Sequence, residues 1–225
     1  IVGDIIVGIV GALVGGFLRF WNLDHPRALV FDETYYVKQA ASMLRFGVEM
    51  RVLSTLKEPD KVFTGGNPDV FSTVDGDMVV HPPVGKWMLA AGQWVFGSDS
   101  GFGWRVSAAV VGTLSILILG RVARRMFGST ALGCVAAFLL AFEGSHFVMS
   151  RTGILDIFVS FFALCGFAAR LIDRARSGEI LAARVGALPT KELGAVKSGF
   201  AGLMILPAAT AKSFDLPNRS VAVIF

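Results

Sequence analysis

The chain has 225 residues, of which 54% are hydrophobic and 17% charged, and its formal net charge is +4. A soluble domain normally carries about a quarter of charged residues, whereas the apolar residues here form runs long enough to cross a bilayer, which takes about 20 residues. The composition excludes an ordinary soluble core and predicts an all-α, multi-pass transmembrane helical bundle. The basic residues lie at segment ends and form no single stripe, which argues against a nucleic-acid partner.

Four apolar segments are long enough to span the membrane as helices. We predict spans over residues 1–20, 101–122, 129–149 and 152–171, with a long loop over residues 21–100. In the first span Gly8, Ala12 and Gly16 recur every four residues, a pattern that lets another helix approach closely. A further apolar stretch, residues 198–211, is short and contains Pro207, so we do not expect it to span.

The long loop contains elements of its own. Residues 32–46 carry apolar side chains at helical spacing, which predicts a short helix at the membrane surface. The stretch "FSTVDGDMVV" predicts a hairpin closed by Asp75 and Gly76. "HPPVGKWMLAAGQWVFG" predicts another helix with a proline in its first turn, and its Trp87 and Trp94 suit a membrane interface.

Arginines in the short loops predict the orientation of the bundle. One cluster lies between the second and third spans and another follows the fourth, namely Arg121, Arg124 and Arg125, and Arg170, Arg174 and Arg176. Short positive loops stay in the cytoplasm. We therefore expect the loop over residues 21–100 and the turn at Arg151 to face outward.

Ionisable residues gather at the outward ends of these spans. They are Asp32, Glu33, Arg105, Glu143, His146 and Asp156. Charges within spanning helices cost a few kcal/mol each and usually mark function. Their common side predicts one polar pocket at the outer leaflet. An ion path would need charges through the whole bilayer depth, so the gathering argues against a transporter.

Each of these residues also has a structural interpretation. Asp32 could cap a helix that begins at Glu33, and Arg105 could reach lipid headgroups by snorkelling. The remaining alternatives are an interfacial position for Glu143 and His146, an ion pair between Arg151 and Asp156, a turn at His81, and solvation or a headgroup contact for Lys86.

The two cysteines predict no metal chemistry. Cys134 and Cys165 both lie within apolar segments, and their spacing matches no metal-binding motif. We expect both to be buried free thiols that pack as small hydrophobic groups. The sequence shows no other cluster of metal ligands, so we predict neither a metal nor a cofactor.

Four stretches together resemble the protein O-mannosyltransferase family, which consists of membrane glycosyltransferases of the GT-C type. They are "FDETYYVK", "HPPVGKWML", "WRVSAAVVGTL" and "SRTGILDIFVSFF". The absence of a large soluble insert is similar to actinobacterial members. The resemblance covers residues 1–173 and implies the N-terminal transmembrane module of a longer protein. Residues 174–225 form a separate segment, and from about residue 178 onward they do not resemble the family.

The resemblance implies transfer of mannose from polyprenyl-phosphate-mannose to Ser or Thr hydroxyls of exported proteins, with inversion and outside the cytoplasm. Membrane lipid and the protein-export machinery are the further partners that it suggests. Asp32 matches the acid that would deprotonate the acceptor, and Glu33 the acid that would orient acceptor or sugar. Arg105 matches the position expected near the donor phosphate. The resemblance also implies supporting roles in the site for His81, Lys86, Arg151 and Asp156. Asp156 would brace Arg105 or the loop.

Two alternatives remain open from the sequence. Another transferase of the same architecture would use a different lipid-linked sugar, because these residues do not specify the sugar. A chain without further helices could also be an inactive membrane fragment. Product mass spectrometry distinguishes the first alternative, and the encoding DNA beyond both termini bears on the second.

Overall fold

The computed structural model describes residues 13–67 and 69–186, which are mostly helical. The chain divides by its contacts into two units, Ile1–Gly166 and Phe167–Phe225. The first twelve residues, the apolar stretch 198–211 and most of the segment 174–225 lie outside the described residues. The domain boundary expected near residue 173 stays a prediction.

Helices and two short strands alternate along the described chain. Helix α1 covers residues 13–20. The following elements are α2 (Glu33–Phe46), β1 (Met50–Val52), α3 (Pro59–Thr64), β2 (Phe71–Gly76), α4 (Pro83–Phe96), α5 (Gly101–Phe127), α6 (Thr130–Phe142), α7 (Gly144–Met149) and α8 (Asp156–Gly186).

The predicted spans correspond only in part to continuous helices. Helix α5 is confirmed and extends further than expected; among the described residues it is the one helix long and apolar enough to cross a membrane. The third span is interrupted at Glu143, whose carboxylate accepts the backbone N–H groups of Ser145 and His146 and so begins a new helix. The fourth helix begins at Asp156 and continues to Gly186. The four-span topology stays a prediction.

The hairpin predicted at Asp75 and Gly76 is wrong. Strand β2 pairs antiparallel with β1, with Met50 opposite Gly76 and Val52 opposite Phe71. The turn residues therefore lie inside the strand. Burial explains why β2 pairs with β1. Phe71 packs in a core cluster with residues of β1 and α3, whereas Val79 and Val80 after the strand are exposed. This sheet qualifies the all-α class that the composition predicted.

The two helices predicted within the long loop are confirmed. Helix α2 ends at Gly47, whose φ of 77° is left-handed and whose N–H bonds to the Met43 carbonyl. Helix α4 begins with Pro83 in its first turn, where the missing N–H costs nothing. Trp87 and Trp94 are both exposed on α4. Their interfacial position stays a prediction.

Helix α2 lies at the centre of the first unit. Its Ala40 belongs to a core cluster with residues of α4, α5 and the start of α8, such as Leu89 and Phe158. Its Val37 belongs to a second cluster with the sheet and α3, which includes Phe71. The N-terminal turn of α2 lies between α5 and residues 150–155, the turn that joins α7 to α8, because Glu33 bonds to Arg105 and to the Gly153 N–H.

Candidate active site

Glu33, the first residue of α2, is the centre of a fully buried ion pair. Its Oε1 accepts hydrogen bonds from Arg105 Nε at 2.7 Å and from the Gly153 backbone N–H at 2.7 Å. Its Oε2 accepts from Arg105 Nη2 at 2.8 Å and from the Val30 backbone N–H at 2.9 Å. Four donors thus satisfy the carboxylate, which offsets the cost of burying its charge. The bidentate geometry also fixes the start of α2 against α5.

Arg105 uses all five of its N–H groups within the protein. Besides Glu33, it donates from Nη1 to the carbonyls of Leu23 at 3.2 Å and Pro26 at 2.9 Å. Its Nη2 donates to the Ala28 carbonyl at 3.0 Å. The side chain is buried, so the snorkelling alternative is wrong. Arg105 instead ties the chain that follows α1 to the N-terminus of α2.

Asp32 has a different environment from its neighbour. It occupies the N-cap position of α2, but its side chain makes no capping hydrogen bond. The capping alternative is therefore wrong for the carboxylate. The Asp32 backbone carbonyl accepts the Tyr36 N–H at 3.1 Å, which belongs to the helix itself. A half-exposed carboxylate thus lies directly beside the anchored Glu33.

Tyr36 connects Asp32 to two other predicted site residues. It lies one helical turn after Asp32 on the same face of α2, and its ring meets the His81 ring edge-to-face with centroids 5.4 Å apart. Partial burial, followed by the charges of Asp32 and Asp156, raises the pKa of Tyr36. The structure therefore brings Asp32, His81 and Asp156 around one tyrosine. Tyr36 is a further residue of this site, and its spacing of one helical turn from Asp32 is the sequence signal that indicates it.

Asp156 does not brace Arg105, because the Arg105 donors are bound to Glu33 and to backbone carbonyls. Asp156 is exposed at the first turn of α8 and lies on the Tyr36 side of the site. Arg151, its expected ion-pair partner, donates instead to the Leu18 carbonyl. The Arg151–Asp156 pair is therefore wrong as an alternative.

Two lysines form ion pairs with acids distant in the chain, one pair buried and the other partly exposed. Lys86 Nζ donates to Glu49 Oε2 at 2.7 Å, and both side chains are buried, so its expected solvation is wrong. Lys38 Nζ donates to Asp60 at 2.5 Å, and Asp60 also accepts the Thr34 hydroxyl. Although partial burial acts in the opposite direction, these hydrogen bonds lower the pKa of Asp60. Single-sequence patterns missed Glu49 and Asp60 because their partners are distant in the chain.

A second group of polar side chains, Arg19, His146 and Arg151, lies near the start of the turn of residues 150–155. Arg19 is buried and donates from Nη1 to the Ala141 carbonyl at 3.3 Å, near the end of α6, while Nη2 contacts His146 Nδ1 at 3.0 Å. The guanidinium groups of Arg19 and Arg151 both lie 5.4 Å from the Phe147 ring centroid. His146 is thus half-buried. The interfacial position of Glu143 and His146 stays a prediction.

The described residues contain no group of three His, Cys, Asp or Glu side chains arranged to hold a metal ion. Cys134 and Cys165 are free thiols, as expected, although they are half-buried and not fully enclosed. The chemistry available at the site is that of carboxylates, a tyrosine, a histidine and arginines.

Residues 9–171 match the family model described as dolichyl-phosphate-mannose-protein mannosyltransferase. The chain belongs to this family. The match covers every residue of the site, from Arg19 through Asp156. No solved structure matches the chain.

Relatives within this mannosyltransferase family include bacterial and animal proteins. The chain is 40% identical over 164 residues to the polyprenol-phosphate-mannose–protein mannosyltransferase of Corynebacterium glutamicum, covering 73% of this chain and 28% of the relative. It is 37% identical over 159 residues to the protein of that name in Mycolicibacterium smegmatis, covering 69% and 27%. A rat protein O-mannosyl-transferase 1 is 27% identical over 178 residues, covering 72% and 20%. The chain spans little more than a quarter of the length of its bacterial relatives.

Proposed function

We propose that this chain forms the acceptor-activating part of a mannosyltransferase that moves mannose from polyprenyl-phosphate-mannose to Ser or Thr hydroxyls of exported proteins. The family and the names of the bacterial relatives support this substrate pair. The observation that carries the proposal is the contrast between two adjacent acids: Glu33 is bound by four donors, whereas Asp32 makes no capping bond and is half-exposed.

Asp32 acts as the general base in this proposal. A hydroxyl is a weak nucleophile, so a carboxylate that accepts its proton during attack lowers the barrier. The hydroxyl oxygen forms a bond to the anomeric carbon of mannose while the bond from that carbon to the phosphate oxygen breaks. The electron pair of that bond leaves with the lipid phosphate, and the proton passes to Asp32. A single displacement of this kind inverts the anomeric centre.

Glu33 and Arg105 position Asp32. Their bidentate pair fixes the first residue of α2, and the backbone places Asp32 immediately before it. A base must lie within hydrogen-bond reach of its proton, and a displacement of about 1 Å can reduce the rate 100-fold. The phosphate contact predicted for Arg105 would require one of its five hydrogen bonds to break.

The membrane setting follows from the donor. A polyprenyl tail stays in the bilayer while its phosphate and sugar reach the surface. We propose that the site lies at the outer face, in line with the arginines of the short loops. A multi-pass arrangement with an extracytoplasmic site is compatible with the long apolar helix α5. The protein-export machinery would supply unfolded acceptor segments on that side.

The test is mannose transfer to an acceptor peptide by the full-length protein in membranes. Asp32→Asn keeps the size of the side chain but removes the base, so we expect kcat to fall by about 100- to 10,000-fold. Asp69→Asn, at an exposed carboxylate away from this site, is the matched control and should retain normal turnover. Near-normal turnover by Asp32→Asn would refute the proposal, and mass spectrometry of the product identifies the sugar.

A further inference from the structure

Three arginines share one face at the C-terminal end of α5. Arg121, Arg124 and Arg125 are spaced three and four residues apart, so their side chains are neighbours on the helix surface. Together with Gly128 they line an open cavity of about 440 Å³. Arg121 and Arg125 are exposed, and Arg124 is half-buried. The cavity therefore concentrates three positive charges at one end of a helix that is long and apolar enough to cross a membrane.

The neighbouring chain supplies no acid to neutralise this charge. Between Asp99 and Glu143 the sequence has neither Asp nor Glu, so α5, the turn after it and α6 offer no carboxylate. Among the residues that the structure describes, no ion pair includes Arg121 or Arg125. The negative end of the α5 dipole equals about half an elementary charge, which offsets only part of three arginines. Like charges at this spacing repel each other, and an anion in the cavity would relieve that repulsion.

Close packing of α5 against α6 fixes the position of the cavity. Helix α5 ends at Gly128, whose φ of 62° is left-handed, and the chain then returns as α6. A Cβ on Gly133 would lie 2.7 Å from the Gly120 carbonyl oxygen and 2.9 Å from Arg124 Cβ. The two backbones are thus in contact beside the arginines, and the base of Arg124 is held against α6. A cavity formed before its ligand arrives lowers the entropic cost of binding.

The surroundings of the cavity indicate an anion with an apolar tail. Met126 and Phe127 are exposed next to the arginines, and Leu132 is exposed at the start of α6. From Arg105 to Arg125 the helix rises about 30 Å at 1.5 Å per residue, and the hydrocarbon core of a bilayer is also about 30 Å thick. With the polar site at one membrane surface, the arginines lie at the headgroup level of the other. A lipid fits both features, because its acyl chain can cover the apolar side chains while its phosphate enters the cavity.

We propose that Arg121, Arg124 and Arg125 bind the headgroup of an anionic phospholipid in the cytoplasmic leaflet. Positive charge at short connections faces the cytoplasm, which is the orientation that we predict for this end of α5. A guanidinium holds phosphate oxygens in a two-pronged way, and each basic side chain near an anionic leaflet adds to the attraction. This phospholipid is distinct from the lipid-linked sugar, which the proposed function places at the opposite surface. The inference therefore does not depend on the role of Asp32.

The test measures the affinity of the full-length protein in detergent for phosphatidylglycerol by native mass spectrometry, with phosphatidylcholine as the neutral comparison. The unaltered protein should bind phosphatidylglycerol more tightly than phosphatidylcholine. Arg121→Gln with Arg125→Gln should reduce the affinity for phosphatidylglycerol by about 25-fold, at about 5-fold for each arginine. Unchanged phosphatidylcholine binding shows that this variant is folded. Arg51→Gln with Lys57→Gln removes two exposed positive charges elsewhere and is the matched control, which should bind normally.

Two further measurements decide what the result means. Arg121→Lys with Arg125→Lys keeps the charges that orient the helix but loses the two-pronged contacts, so its affinity should lie between those of the unaltered protein and the Gln variant. Glycerol phosphate, the soluble headgroup without acyl chains, should not displace phosphatidylglycerol. Displacement would identify a site for soluble phosphates and overturn the lipid assignment. Equal affinity of the unaltered protein for the two phospholipids, or unchanged phosphatidylglycerol binding in both the Gln and Lys variants, would overturn the inference as well.

Discussion

At the scale of single residues, neighbours in the chain have opposite environments. Glu33 is enclosed and bound by four donors, whereas Asp32 keeps a half-exposed carboxylate without a capping bond. The helix explains this difference, because successive side chains at the start of α2 point in directions about 100° apart. Asp32 then shares a face with Tyr36, one turn later. Anchoring thus falls to Glu33 alone, which leaves the Asp32 carboxylate for the base role proposed above.

Removal of Arg105 tests the anchoring role. Arg105→Met leaves the Glu33 carboxylate buried without its ion-pair partner, which should lower the free energy of unfolding by about 3–5 kcal/mol. Thermal unfolding in detergent measures the change. Arg27→Met removes an exposed ion pair with Asp24 and should cost less than about 1 kcal/mol.

Adding Glu33→Gln to Arg105→Met removes the unpaired charge and should recover part of the loss. Equal melting temperatures for Arg105→Met and Arg27→Met would show that the buried pair does not stabilise the fold.

At the scale of elements, glycines allow α4 and α5 to approach closely. A Cβ on Gly92 would lie 2.6 Å from the Gly103 carbonyl oxygen and 2.8 Å from Val106 Cγ1. The backbones are therefore in contact at this point. The contact brings α4, with Lys86, against the same core cluster that α2 joins. The acid pair at the start of α2 depends on this packing for its position.

Gly92→Ala tests that approach. Its methyl group must push α4 away from α5, which should lower the free energy of unfolding by about 1–3 kcal/mol. Gly166→Ala is the matched control, because nothing lies within 4 Å of a Cβ there and alanine favours a helix by up to about 1 kcal/mol. Thermal unfolding of both variants gives the comparison. A Gly92→Ala protein as stable as Gly166→Ala would refute the close packing.

At the scale of the whole molecule, the polar site and a cluster of arginines lie at opposite ends of α5. Arg105 is in the first turns of this helix, and Arg124 and Arg125 are in its last turn. A helix of 27 residues is about 40 Å long at 1.5 Å per residue. If α5 crosses the bilayer, the two ends must face opposite sides.

Cysteine labelling in intact cells tests this orientation. In a cysteine-free full-length background, Lys57→Cys should react with a membrane-impermeant maleimide, because the loop over residues 21–100 is expected outside. Arg125→Cys should react only after the cells are opened. The reverse pattern would place the site in the cytoplasm and would contradict an extracytoplasmic transferase.

The sequence by itself determined the apolar class of the chain, the helices α2 and α4, and the family resemblance, because all three depend on composition, on local spacing or on short motifs. Tertiary structure decided which acid is anchored and which is free, since Glu33 meets Arg105 across 72 positions and Gly153 across 120. It also decided the strand pairing of β2 and the partners of Lys38 and Lys86. These contacts join residues distant in the chain, and no local pattern of hydrophobicity or turn residues encodes which of them will meet.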